Sequence, residues 1–114
     1  MGVIKESRSY PRVELFAQVQ VTRDSDVYVM STLNVSKGGV FISGNPFDYP
    51  DLEVGTMVEL VIFSSEESIP DATLRGRVVR VVDAGKTPGF GLQFVSVRPE
   101  QASSLDRLIA FTQG

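Results

Sequence analysis

Apolar and polar residues alternate with a period of two along most of the chain. In residues 13–22, Leu15, Ala17, Val19 and Val21 alternate with Glu14, Gln18, Gln20 and Thr22, which predicts a strand with one buried face. Arg23-Asp24-Ser25-Asp26 is a polar turn, and a second strand is predicted over 27–33. Gly38-Gly39 opens a short third strand at 40–42, and Asn45-Pro46 through Pro50-Asp51 is a loop of turn formers that Gly55 closes. A fourth strand, dense in β-branched residues, is predicted over 57–63. The acidic, Ser-rich stretch 64–71 ends in Pro-Asp and reads as an exposed connection to a fifth strand at 73–82. The turn Asp83-Ala84-Gly85-Lys86-Thr87-Pro88-Gly89 leads into a sixth strand, 90–95.

The period changes only at the end. Pro99 suits the first position of a helix, and Ala102, Leu105, Leu108 and Ile109 recur at helical spacing. Arg98 is a poor N-cap, so the start of this helix is less defined than its existence. Six short strands followed by one amphipathic helix predict a mainly β domain, a small six-stranded antiparallel barrel. The helix has two places to go: against the barrel wall, or into one of its openings. No internal repeat, low-complexity segment or domain boundary interrupts the 114 residues, one domain's length.

Composition then removes whole classes of chemistry. There is no Cys, which excludes thiolate metal sites, disulfides and cysteine nucleophiles. There is no His, so the commonest general base and metal ligand are both missing. The net charge of −3 argues against wrapping a nucleic-acid polymer. The carboxylates fall mainly in loops and on polar strand positions, Glu66-Glu67 reads as a solvated loop tip, and neither a phosphate-binding Gly-Lys loop nor a Gly-x-Ser-x-Gly elbow is present. The reading is therefore of a non-catalytic domain with no cofactor and no metal site. The opening residues lack a signal peptide's apolar core, Glu6 spoils a myristoylation match, and no apolar run could span a bilayer. A cytoplasmic location without membrane insertion is expected.

Two clusters carry information. Arg8-Ser9-Tyr10-Pro11-Arg12 places two arginines four apart just before the first strand, and Pro11 biases Tyr10 toward extended backbone. Guanidinium groups offer forked donors to phosphate oxygens and a flat face to a base. The plainer reading is a pair of solvated arginines near a terminus. Asn34-Val35-Ser36-Lys37-Gly38-Gly39 presents an amide and a hydroxyl, and its glycines permit positive φ and close approach of a ligand to the backbone. Here the plainer reading is a hairpin connection, since turns favour the same residues.

Together and in this order, Arg-x-x-x-Arg (Arg8, Arg12) and Asn-x-Ser-x-x-Gly (Asn34, Ser36, Gly39) resemble the two signature motifs of the PilZ domain family, bacterial receptors for cyclic di-GMP. Gly89-Phe90-Gly91-Leu92-Gln93-Phe94 is similar to the family's last strand. The resemblance implies a PilZ-like split barrel over 13–114 and a flexible arginine arm over 1–12. It implies that Arg8 and Arg12 bracket the ligand, that Asn34 and Ser36 line a guanine, and that Gly39, beside Gly38, keeps the turn open.

Several assignments stay open at this level. Arg75, Arg77 and Arg80 lie on the fifth strand, Arg75 and Arg77 on one face of it, and they either extend the ligand site or are simply solvated, the second being favoured. Tyr10 either stacks on a base or covers the barrel mouth. Ser7 stands where family members that bind a stacked ligand dimer carry another arginine. The implied function is a cyclic di-GMP receptor that orders its arm and signals to an unidentified downstream protein, as a monomer or weak dimer, without contacting DNA or RNA. The alternatives are a PilZ-fold protein-interaction adaptor that binds no nucleotide, and a barrel for single-stranded nucleic acid.

Overall fold

A computed structural model describes residues 13–113. The strands are β1 (Val13–Glu14), β2 (Gln18–Arg23), β3 (Asp26–Val35), β4 (Gly39–Ser43), β5 (Met57–Ile62), β6 (Ala72–Val82) and β7 (Gly89–Val95), followed by helix α1 (Pro99–Gln113). All pairings are antiparallel, in the order β3-β2-β5-β6-β7-β4, and β4 pairs back onto β3 to close a six-stranded barrel. The short β1 continues the line of β2 along β3, so the predicted first strand is one strand broken in the middle.

The break has a visible cause. Between the pairs Gln18↔Ser31 and Glu14↔Asn34 the first strand spends one residue more than β3 does. Thr32, fully buried, bridges the gap: its hydroxyl donates to the Leu15 carbonyl and accepts from the Ala17 N–H at 3.0 Å. The backbone groups on either side are also paired, Thr32 N–H with Ala17 O at 2.8 Å and Leu15 N–H with Leu33 O at 3.1 Å. The extra residue points out, and the Phe16 ring is 72% exposed.

Inward residues from every strand of the ring fill the barrel, Val19, Val21, Met30, Ile42, Leu60, Leu74, Val78, Phe90 and Leu92 among them. Each such side chain contributes about 1.5–3 kcal/mol through burial. The packing leaves a central void of about 10 Å³, lined by Val21, Met30, Ile42, Leu52, Val58, Val78, Phe90 and Leu92. That is room for one water at most, so a ligand must bind outside the barrel.

Each end is closed differently. At the end where β3 leaves and β4 enters, α1 packs on β6 and β1 and sends Leu105 and Leu108 into the core. At the other end Tyr28, Tyr49 and Phe90 make successive edge-to-face contacts at 5.1 and 6.2 Å, and Leu52 joins the core. The Tyr28 hydroxyl donates to Asp51 at 3.1 Å; partial burial first, then this bond, holds its phenol above the ordinary tyrosine range. Arg98 indeed caps nothing with its own side chain. Gln101 instead reaches back to accept from the Arg98 N–H at 2.8 Å, half of a capping box, and Pro99 takes the first helical position.

Candidate functional site

The Asn-x-Ser-x-x-Gly segment forms the end of β3 and the turn into β4. The Ser36 N–H donates to the Gly39 carbonyl at 2.8 Å, and the Ser36 hydroxyl accepts from the Gly38 N–H at 3.1 Å. Ser36 is itself buried, so its first task is to hold the turn. Positive φ plays no part at Gly38 or Gly39, contrary to the expectation for these glycines: among the described residues the glycines with positive φ are Gly55 and Gly85. Gly39 is required for another reason. A Cβ there would stand 2.3 Å from the Leu92 carbonyl oxygen across the β4–β7 seam. The Gly38 carbonyl accepts from the Phe94 N–H at 2.9 Å, which ties the turn to β7. Lys37 reaches α1, with Nζ 3.7 Å from Asp106.

Two bulges then decide which side chains face out. On β3 Met30 and Thr32 are buried, and strict alternation would send Asn34 inward next; instead the buried residue is Val35. The register on β4 slips by one residue between Thr32 and Asn34, and Asn34 turns outward, opposite Phe41. On β6, Ala72, Leu74, Gly76 and Val78 are buried, and alternation would put Arg80 with them. A second slip between Val78 and Arg80 returns Arg80 to the outer face, against Gly91. Alternation along the sequence, which puts Arg75 and Arg77 on one face, gives no sign of this shift at Arg80.

The result is a continuous row across four pairings: Glu14 on β1, Asn34 on β3, Phe41 on β4, Gly91 on β7 and Arg80 on β6. At about 4.8 Å per strand the row spans roughly 19 Å along the curved sheet. Arg80 lies flat over Gly91, its atoms 3.5–4.0 Å from where a Cβ would stand, and its guanidinium carbon is 5.7 Å from the centroid of the Phe41 ring. Phe41 is only 7% exposed although it lies outside the core cluster. Glu14, Phe16, Leu33, Asn34, Phe41, Arg80 and Thr87 line an open groove of about 410 Å³. Among the described residues neither Arg80 nor Glu14 has an ion-pair partner.

Other predicted residues are distributed as follows. Arg75 lines a different groove, with Thr22, Asp24, Met57, Val58 and Glu59, and Glu59 is its cross-strand partner. Arg77 is exposed, in register with Met57 and Gln93, and lines neither groove. Ser7, Arg8, Tyr10 and Arg12 lie outside the described residues. Val13, the residue after Arg12 in the sequence, pairs with Val35, which stands between Asn34 and Ser36. The sequence singled out Arg80 only as one of three arginines on its strand, and Glu14, Phe16 and Phe41 not at all. No group of His, Cys, Asp or Glu able to hold a metal occurs among the described residues.

The PilZ domain family model matches residues 6–111, which includes both motifs and nearly the whole barrel and helix. The chain belongs to the PilZ domain family. No curated protein sequence matches it. Solved structures share the fold at low identity. The inhibitor of motility MotI/DgrA of Bacillus subtilis superposes with a TM-score of 0.78 at 18% identity, covering 96% of this chain and 52% of that one. The MrkH–c-di-GMP complex of K. pneumonia gives 0.75 at 15% identity, covering 94% and 52%. The PilZ domain of YcgR from Escherichia coli, solved with c-di-GMP, gives 0.73 at 19% identity, covering 95% and 92%. The chain thus spans about half the length of MotI/DgrA and MrkH, and nearly all of the YcgR domain. Among the described residues of this PilZ domain, no helix is long and apolar enough to cross a membrane.

Proposed function

We propose that this PilZ domain is a non-catalytic receptor for cyclic di-GMP, with the ligand held between the arginines of the N-terminal segment and the outer groove. The observation that carries the reading is the pairing of Val13, the residue after Arg12 in the sequence, with Val35, which stands between Asn34 and Ser36. Two fold relatives solved with c-di-GMP support the same ligand class. The chemistry is consistent. A dianion with two purines needs cations and a polar edge, and Arg8, Arg12 and Arg80 supply the first while Asn34 begins the second. Ser36 acts here chiefly by fixing the turn that presents Asn34. Binding orders the arm around the ligand, and the ordered arm offers a new surface to a downstream protein.

Titration calorimetry with cyclic di-GMP tests this directly. The wild-type chain should bind, and Arg8→Ala or Arg12→Ala should each weaken binding by roughly 30- to 150-fold, the loss of one charge-assisted contact, with the melting temperature unchanged. Wild-type affinity in both variants, or no binding by the unaltered chain, would overturn the proposal.

A further inference from the structure

Glu14 poses a chemical problem for the groove that contains it. It is exposed, it lines the groove beside its cross-strand partner Asn34, and it has no ion-pair partner among the described residues. A lone carboxylate repels the phosphodiesters of a cyclic dinucleotide. A ligand that turns hydrogen-bond donors toward it, N–H groups of a base or a ribose hydroxyl, removes that repulsion. Guanine has one edge of that kind, the Watson–Crick edge, where N1–H and the N2 amino group point the same way and match the two oxygens of a carboxylate. Asn34 can share in reading this edge, but its amide is neutral and offers one acceptor oxygen beside a donating nitrogen, whereas Glu14 offers two charged acceptors. Glu14 is also the one carboxylate among the residues lining this groove. Two residues along, Phe16 opens its ring into the same groove, 72% exposed, and offers a face on which a base can lie.

We infer that Glu14 is the residue that selects guanine, accepting from N1–H and the N2 amino group of a base lying on Phe16, with Asn34 beside it. This rests on the cyclic di-GMP reading above and adds its base specificity. Adenine would present a lone pair at N1 to the carboxylate and would be rejected. Hypoxanthine keeps N1–H but lacks the amino group, so cyclic di-inosine monophosphate differs from cyclic di-GMP at one of the two contacts assigned to Glu14.

The experiment is calorimetry of the full chain, of Glu14→Gln and of Glu14→Ala, each with both dinucleotides, after thermal melts show the variants folded. The wild type should prefer cyclic di-GMP over the inosine analogue by at least about 10-fold, as a charge-assisted hydrogen bond requires. In both variants that preference should collapse to about 2-fold. A preference that persists in the variants, whether or not overall affinity falls, would overturn the inference. So would a wild type that does not distinguish the two ligands, since a carboxylate that only supports the strand or touches a ribose moves both affinities equally. A wild type that binds neither nucleotide would instead remove the receptor reading itself.

Discussion

Two open grooves of similar size on the outer wall of the barrel, both lined by described residues, differ in how their side chains are aimed and paired. One, about 410 Å³, runs from Glu14 past Asn34 and Phe41 to Arg80; the other, about 350 Å³, is lined by Thr22, Asp24, Met57, Val58, Glu59 and Arg75. Each contains an arginine and at least one carboxylate. In the second groove the ladders β2–β5 and β5–β6 run without a register shift, and Arg75 directly faces Glu59. Opposite charges there stand across a regular ladder from one another, although Arg75 and Glu59 form no ion pair. The first groove is bounded by three irregularities: the break at Leu15–Ala17, the slip before Asn34 and the slip before Arg80. Each turns a side chain outward that simple alternation would have placed elsewhere or left unremarkable. Bulges cost ladder hydrogen bonds, and a fold that retains them around one surface is using them to aim side chains.

The comparison breaks most severely at the seam that holds the first groove together. Gly39→Ala puts a Cβ 2.3 Å from the Leu92 carbonyl oxygen, and backbone on both strands must move. We expect a loss of about 3 kcal/mol or more, with β4 displaced from β7 and nucleotide binding lost alongside. Gly91→Ala, in the same row, meets nothing closer than the Arg80 Cβ at 3.5 Å and should change stability by less than about 0.5 kcal/mol. Equal melting temperatures for the two variants would contradict this account of Gly39.

Thr32→Val comes next. The swap preserves shape but leaves the Ala17 N–H and the Leu15 carbonyl without the hydroxyl that bridges them. Leaving such groups unpaired in a buried place costs about 1–3 kcal/mol, roughly 5–15 °C in a domain of this size. Because the same hydroxyl sets where Phe16 and Glu14 emerge, cyclic di-GMP affinity should fall as well. Thr22→Val, on a regular ladder in the second groove, should stay within about 0.5 kcal/mol and leave binding alone. Chemical denaturation of both variants separates the cases.

Arg80→Ala and Arg75→Ala are the sharpest test of the contrast, since the two arginines sit on one strand and one outer face. Arg80 faces Gly91 rather than an acid across its ladder and lies against Phe41, so its removal should weaken cyclic di-GMP by about 5- to 10-fold. Arg75→Ala should leave affinity within about 2-fold. The reverse order would place the ligand in the second groove.

Much of this could be read from the chain, and the remainder was hidden for a physical reason. Period-two alternation is local, and it located the strands; the spacing of Ala102, Leu105, Leu108 and Ile109 located the helix. The motif residues Asn34, Ser36 and Gly39 were found as a group because they are contiguous. What alternation could not supply is the count of residues on the partner strand. Asn34 faces outward only because β3 gains a residue against β4, and Arg80 only because β6 gains Val79 against β7. Those are relations between distant segments. Arg80 left one faint trace, the Gly89-x-Gly91 pair, since a bare lane on a strand invites a long side chain from its neighbour. Glu14 and Phe16 left none: they read as ordinary polar and apolar positions of a half-buried strand.

The smallest effect belongs to the ion pairs that flank the two grooves. Lys37 joins the turn beside the first groove to Asp106 of α1 at 3.7 Å, with the two side chains 58% and 48% exposed. Arg23 meets Asp24 at the rim of the second at 3.4 Å, 36% and 81% exposed. Pairs this open to water contribute about 0–1 kcal/mol, because solvent screens them and two long or mobile side chains lose freedom in forming them. Lys37→Ala and Arg23→Ala should therefore each lower the melting temperature by only a few degrees, and the difference from wild type should shrink as salt rises toward about 0.5 M. The grooves differ in what lies behind the pair. The turn at Lys37 is already fixed by Ser36, Gly38 and Gly39 through backbone bonds to itself and to β7, so losing the tie to α1 should leave cyclic di-GMP affinity within about 2-fold. A loss of ten-fold or more would mean that α1, through Lys37, helps to position Asn34, and that the first groove depends on the helix as well as on its bulges.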